Sequence, residues 1–136
     1  MKPLYLTLTL LLACTAFTHA QKVDPDGGDK TFTRIEIEPS YPGGDSAWNK
    51  YLGKNLRYPD DAVNNGISGT IIVSFIVNTD STIQDVQAIS GPTDGGLREE
   101  AVRVIRKSGK WVPGIQNGYW ERAYVKRPIK FVIEHN

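Results

Sequence analysis

Residues Thr70–Asn78 read TIIVSFIVN, and the alternation inside that stretch decides the fold. Ile71, Val73, Phe75 and Val77 fall on one parity, and Ile72, Ser74 and Ile76 on the other. Successive side chains of a strand point to opposite faces, so the stretch is a strand with one strongly apolar face. Thr79-Asp80-Ser81-Thr82 follows as a tight polar turn, and Ile83–Ser90 resumes as the partner strand of a hairpin.

On the C-terminal side, Gly91-Pro92-Thr93-Asp94-Gly95-Gly96 is a loop. Leu97–Ser108 then carries Leu97, Ala101, Val104 and Ile105 at helical spacing, which predicts a helix with those four on its buried stripe. After a turn region over Trp111–Gly118, Tyr119–Glu134 reads as one long last strand, with Val125, Ile129, Phe131 and Ile133 sharing a parity.

On the N-terminal side, Asp45 or Ser46 can cap a helix whose apolar face is Ala47, Trp48, Tyr51, Leu52 and Leu56. Tyr58-Pro59 closes that helix, because the residue before proline avoids helical angles. Pro59 can open a second short helix to about Asn64, with Asp60 and Asp61 at its positive end and Gly66 as the stop. Thr31–Glu38 alternates and reads as a half-exposed strand ended by Pro39 and Pro42-Gly43-Gly44. The predicted fold class is α+β over residues 31–136: a small antiparallel sheet of about three to four strands with two helices packed on one face. The crossover through the Leu97–Ser108 helix places the last strand beyond Thr70–Asn78, antiparallel to it and at an edge of the sheet.

Residues 1–20 read as an export signal: Lys2, an apolar run Leu4–Leu12, and a small-residue cleavage site Thr18-His19-Ala20 before Gln21. A retained anchor through residues 3–20 needs about 20 apolar residues, and Thr7, Thr9, Thr15 and His19 interrupt the segment. Leu11-Leu12-Ala13-Cys14 loosely resembles a lipobox, which would lipidate Cys14. Gln21–Lys30 is a polar leader with Pro25, Gly27 and Gly28. Cys14 is the only cysteine, so a domain cleaved after Ala20 carries no thiol chemistry. Losing Lys2 takes the 16 basic residues to 15 against 15 acidic ones, and such a balance argues against nucleic acid as a partner.

Little in the chain announces catalysis. The two histidines are His19, in the signal, and His135, beside the C-terminus. With no further histidine and no cysteine in the mature domain, a zinc site or an activated nucleophile lacks parts. Asp60/Asp61 and Glu99/Glu100 are neighbours in sequence whose side chains diverge, and both pairs read as solvated faces. Gly43-Gly44 and Gly95-Gly96 lack the spacing of phosphate-binding loops and read as turns. The expectation is a non-enzyme with no catalytic residue, metal, cofactor or small-molecule substrate. Trp48 and Trp111 read as core, while Trp120 divides between packing and an exposed contact.

The last strand carries the functional argument. Pro128 has no N–H, so it fits an edge strand with its nitrogen facing outward. Backbone groups at alternate residues share a direction, which turns Trp120, Arg122, Tyr124 and Lys126 outward as well. Such a row can template a strand from a partner. Against this, Lys126, Arg127 and Lys130 can act as gatekeepers, or Thr31–Glu38 can itself cover the edge.

Tyr58-Pro59, Ala62, Gly69, Val73, Phe75, Val77, Val86, Leu97, Glu100-Ala101, Trp111, Pro113-Gly114, Gly118, Pro128 and Phe131 stand in an order that resembles the C-terminal domain of TonB. The resemblance covers roughly Phe32 to Ile133, in the version with Tyr41-Pro42-Gly43-Gly44 before the first helix. It implies a periplasmic domain whose last strand pairs with the N-terminal segment, the TonB box, of a TonB-dependent outer-membrane receptor. The implied contact region is the edge strand near Arg122–Lys126, and the Tyr58-Pro59 turn is a neighbour. TonB proper keeps a transmembrane helix and a long Pro-rich spacer, whereas Gln21–Thr31 spans at most ~40 Å. A cleaved form would bind receptor segments, or another envelope protein, without a motor of its own. The alternative is an envelope assembly module that forms a homodimer by strand exchange and has no role in transport.

Overall fold

In the computed structural model, which describes residues 36–134, eight elements follow in order. They are α1 (Gly44–Asn55), α2 (Asp60–Asn64), β1 (Gly69–Val77), β2 (Ile83–Ser90), α3 (Leu97–Arg106), β3 (Gly114–Gln116), β4 (Tyr119–Glu121) and β5 (Ala123–Phe131). β1 is the centre of a three-stranded antiparallel sheet of order β2-β1-β5, and β3 with β4 forms a separate two-stranded ribbon. The α+β class and the placement of the last strand at an edge are as the alternation predicts. Of the three helices, α2 is a single turn begun by Pro59, whose carbonyl accepts the N–H groups of Ala62 and Val63 at 3.0 and 3.1 Å. The N-terminal segments 1–20 and 21–30 and residues Thr31–Ile35 lie outside the described residues. Among the described residues no helix is long and apolar enough to cross a membrane.

The core lies between one sheet face and the helices. Ile71, Val73, Phe75 and Val77 of β1 are fully buried there, facing Leu97, Ala101, Val104 and Ile105 of α3 and Ile129 and Phe131 of β5. Trp111 fills the gap between sheet and α1, 1% exposed, with ring centroids of Phe75, Trp48 and Tyr41 at 4.9, 5.2 and 5.5 Å. Its indole N–H donates to Ser108 Oγ at 2.9 Å, and that hydroxyl donates to the Ile105 carbonyl at 2.6 Å. A buried tryptophan needs such a partner for its polar edge.

Four sequence expectations are corrected. The long strand Tyr119–Glu134 is two strands: β4 pairs with β3, β5 pairs with β1, Arg122 separates them, and β5 ends at Phe131. The cause is Asn117-Gly118, with φ of 53° and 81°, a two-residue turn that closes the β3–β4 hairpin. Thr31–Glu38 makes no strand within its described part. Ile37 instead forms an isolated bridge with Ile115 and Ser40 another with Val112, and Pro39 between them has no N–H to extend a ladder. Neither Asp45 nor Ser46 caps α1; Gly43, at φ 91°, is its N-cap, and a Cβ there would lie 2.7 Å from that of Ala47. Glu100 does not belong to a solvated face: its carboxylate accepts hydrogen bonds from the Arg57 N–H at 2.7 Å and from Arg103 Nε and Nη2 at 2.6 and 2.8 Å. Arg103 Nη2 also reaches the Asn55 carbonyl at 2.8 Å, so this clamp ties the end of α1 and the following loop to α3.

Candidate functional site: the β5 edge

β5 has β1 on one side and, among the described residues, no named strand on the other. The β1–β5 register runs unbroken through nine pairs, from Gly69↔Phe131 to Val77↔Ala123. Ile72 lies opposite Pro128, which has no N–H to give, so this is a non-hydrogen-bonded pair and the ladder passes through its neighbours Arg127 and Ile129. By the same parity the backbone groups of Tyr124, Lys126 and Lys130 turn away from β1.

The opposite edge of the sheet is built differently. β2 pairs with β1 through two register irregularities, between Ile72 and Val73 and between Ser74 and Ile76, and Asp85 stands at φ 55°. Bulges and a charged residue are what blunt an edge against strand addition. One edge of this sheet is therefore regular and the other is not.

Four of the six residues named from sequence gather at the start of β5. Trp120 lies in β4 and is 55% exposed. Arg122 links the two strands and donates from Nε to Asn78 Oδ1 at 3.0 Å, pinning the junction to the β1–β2 turn. Tyr124 stands opposite Ile76 and Lys126 opposite Ser74, with Lys126 Nζ 5.9 Å from the Tyr124 ring centroid. Tyr58 and Pro59 are elsewhere. The Tyr58 hydroxyl donates to the Ile67 carbonyl at 2.5 Å and its ring meets Phe131 edge-on at 5.5 Å. Phe131 is seven residues beyond Tyr124, roughly 23 Å along the strand. Tyr58 thus docks the α1–α2 turn onto the far end of β5.

Two hollows flank the edge. Glu38 and Pro39 border one, of about 360 Å³, with Tyr124, Val125, Lys126 and Arg127. The leading segment lies alongside the edge there, while its Ile37 and Ser40 backbone groups bond to Ile115 and Val112. The other hollow, of about 460 Å³, runs between α1 and β5 and was not signalled by any motif. Arg127 stands at its rim, 5.4 Å from the Trp111 ring centroid and 3.7 Å from an Asp45 carboxylate oxygen. Among the described residues no group of three or more His, Cys, Asp or Glu side chains could hold a metal ion.

Comparison with known proteins agrees with this architecture. The sequence profile described as Gram-negative bacterial TonB protein C-terminal matches residues 54–133. Protein TonB from two strains of Helicobacter pylori is 28% identical over 85 residues, which is 62% of this chain. The chain spans only 28% and 29% of the length of those two relatives. Two solution structures of the C-terminal domain of Helicobacter pylori TonB match at 24% identity with TM-scores of 0.51 and 0.52. They cover 65% and 67% of this chain and 78% and 95% of theirs, a likeness of fold. By the profile match and the shared fold, the chain belongs to the family of Gram-negative bacterial TonB protein C-terminal domains.

Proposed function

We propose that this domain recognises an extended peptide by strand addition along β5, and that the peptide is the N-terminal segment of an outer-membrane receptor served by TonB-dependent transport. The observation that carries this reading is the contrast between the edges: β5 is regular over nine residues, while β2 is bulged and charged. Added strands gain affinity from main-chain hydrogen bonds and specificity from alternate side chains. The outward groups of Lys126 and Lys130 supply such bonds, Pro128 between them supplies only its carbonyl, and Trp120 and Tyr124 offer aromatic contact at the start of the strand. The domain acts in the periplasm, exported by residues 1–20 and released after Ala20. This assignment also favours no catalytic role.

Lys126→Pro tests the register. Its N–H points away from β1, so proline there removes one outward donor and leaves the β1–β5 ladder intact. In an NMR titration with N-terminal peptides of outer-membrane receptors from the same organism, Lys126→Pro is expected to weaken binding about tenfold or more, as a lost hydrogen bond and a steric clash together imply. Lys126→Ala, which keeps the N–H, is expected to bind nearly as the parent. Equal binding by a folded Lys126→Pro variant refutes this edge register. Absence of shifts with any peptide, together with a solution mass that rises with concentration, would assign the edge to a second copy of the chain.

A further inference from the structure

We propose that the hollow between α1 and β5 is a side-chain subsite of this edge, one that takes an apolar side chain of the incoming segment and is kept open by Gly53. The proposal rests on strand addition along β5. Trp48 and Leu52 of α1 and Leu56 at its C-cap form its wall, and Pro128 and Lys130 border it from the strand. Gly53 completes the lining.

Gly53 is the informative residue. It lies inside α1, where glycine destabilises a helix relative to alanine. Its backbone is ordinary right-handed helix, and a Cβ built there meets nothing within 4 Å. Among the described residues no turn, cap or close approach calls for glycine at this position. The missing side chain leaves space directly over the Trp48–Leu52–Leu56 wall.

The place of the hollow along the strand gives it a use. A strand adding to β5 finds no donor at Pro128, so backbone recognition is interrupted beside the opening. Burial of a side chain there compensates for the missing bond. In an added strand alternate side chains face α1, and those between them face the side of Lys126 and Lys130. Lys126 packs over Tyr124, and among the described residues neither lysine pairs with a carboxylate. The fitting partner is therefore an extended segment that alternates apolar with acidic residues, apolar toward α1.

The test uses the full chain and two octapeptides, one alternating Leu and Glu and one alternating Ser and Glu, followed by NMR and calorimetry. Gly53→Gln fills the hollow with a long uncharged side chain that suits a helix, and Gly53→Ala fills it slightly. Both variants are expected to fold, with a melting temperature a few degrees higher, on the order of 2–6 °C. The Leu peptide is expected to bind the parent at least tenfold more tightly than the Ser peptide. Gly53→Gln is expected to abolish that ratio and leave the Ser peptide's affinity within twofold. If both peptides move β5 amides but the ratio survives in Gly53→Gln, the subsite is refuted and the edge stands. If neither peptide moves β5 amides while receptor-derived peptides do, the alternating partner is refuted. If no peptide moves them, strand addition and the subsite fall together.

Discussion

Replacing Glu100 by glutamine should destabilise the domain by about 2 kcal/mol at neutral pH, and that loss should vanish in acid. The carboxylate takes the Arg57 N–H and Arg103 Nη2 on one oxygen and Arg103 Nε on the other. Glutamine keeps one acceptor oxygen and turns an amide N–H₂ toward donors, so at least one charge-assisted bond is lost. A hydrogen bond to a charged group contributes about 1.5–3 kcal/mol net. The Arg103 side chain is 36% exposed, so water recovers part of its share and places the estimate near the lower end. Burial pushes the Glu100 carboxyl up, but the hydrogen bonds from Arg103 and from the Arg57 N–H outweigh it and hold the group below its ordinary value of 4.5. A depressed folded-state value stabilises fully above the unfolded value and is lost as pH falls through the folded one. Urea denaturation of parent and Glu100→Gln should therefore differ by a constant amount above about pH 5.5 and converge below 4.5. A difference under about 0.5 kcal/mol at pH 7, or one that persists unchanged at pH 3, would refute the clamp's contribution.

Trp111→Ala should cost about 3–5 kcal/mol in the same assay, because the indole is enclosed by three aromatic rings and leaves Ser108 Oγ without its donor; a loss under 2 kcal/mol contradicts that packing. Ser74 Oγ is fully buried with no hydrogen-bond partner among the described residues, so Ser74→Ala should be neutral or stabilising by about 1 kcal/mol, and a loss of that size would reveal a partner. Export predicts a mature chain that begins at Gln21. Intact mass of the protein from cell envelopes checks this, and a retained Met1 or a lipidated Cys14 overturns it.

What could be read from residues was what burial imposes with a fixed period. The Ile71, Val73, Phe75 and Val77 parity of β1 and the Leu97, Ala101, Val104 and Ile105 stripe of α3 both line the core and stand as read, although Ser74 and Ile76 on the other parity of β1 are buried as well. Proline's missing N–H likewise placed the edge. The misreadings came where a local signal was outweighed by a longer apolar pattern. Asn117-Gly118 is a strong hairpin signal, yet the parity running toward Ile133 suggested one continuous strand. Glu100 looked solvated because the Arg57 N–H it accepts arrives from 43 residues away, and the Asn55 carbonyl that holds its other partner, Arg103, lies 48 residues from that arginine. The hollow along α1 was illegible for the same reason: no spacing in sequence says that Gly53 and Pro128 line one hollow.

The asymmetry between β2 and β5 also fixes a valence. A sheet with two regular edges can accept a strand on one side and offer one on the other, and so grow without limit. With β2 bulged and Asp85 set at its kink, the three-stranded sheet has, among the described residues, one regular edge, that of β5. If a peptide or another copy adds to β5, as proposed, this sheet keeps no second regular edge among the described residues, so the addition favours a closed one-to-one pair over elongation into a fibre.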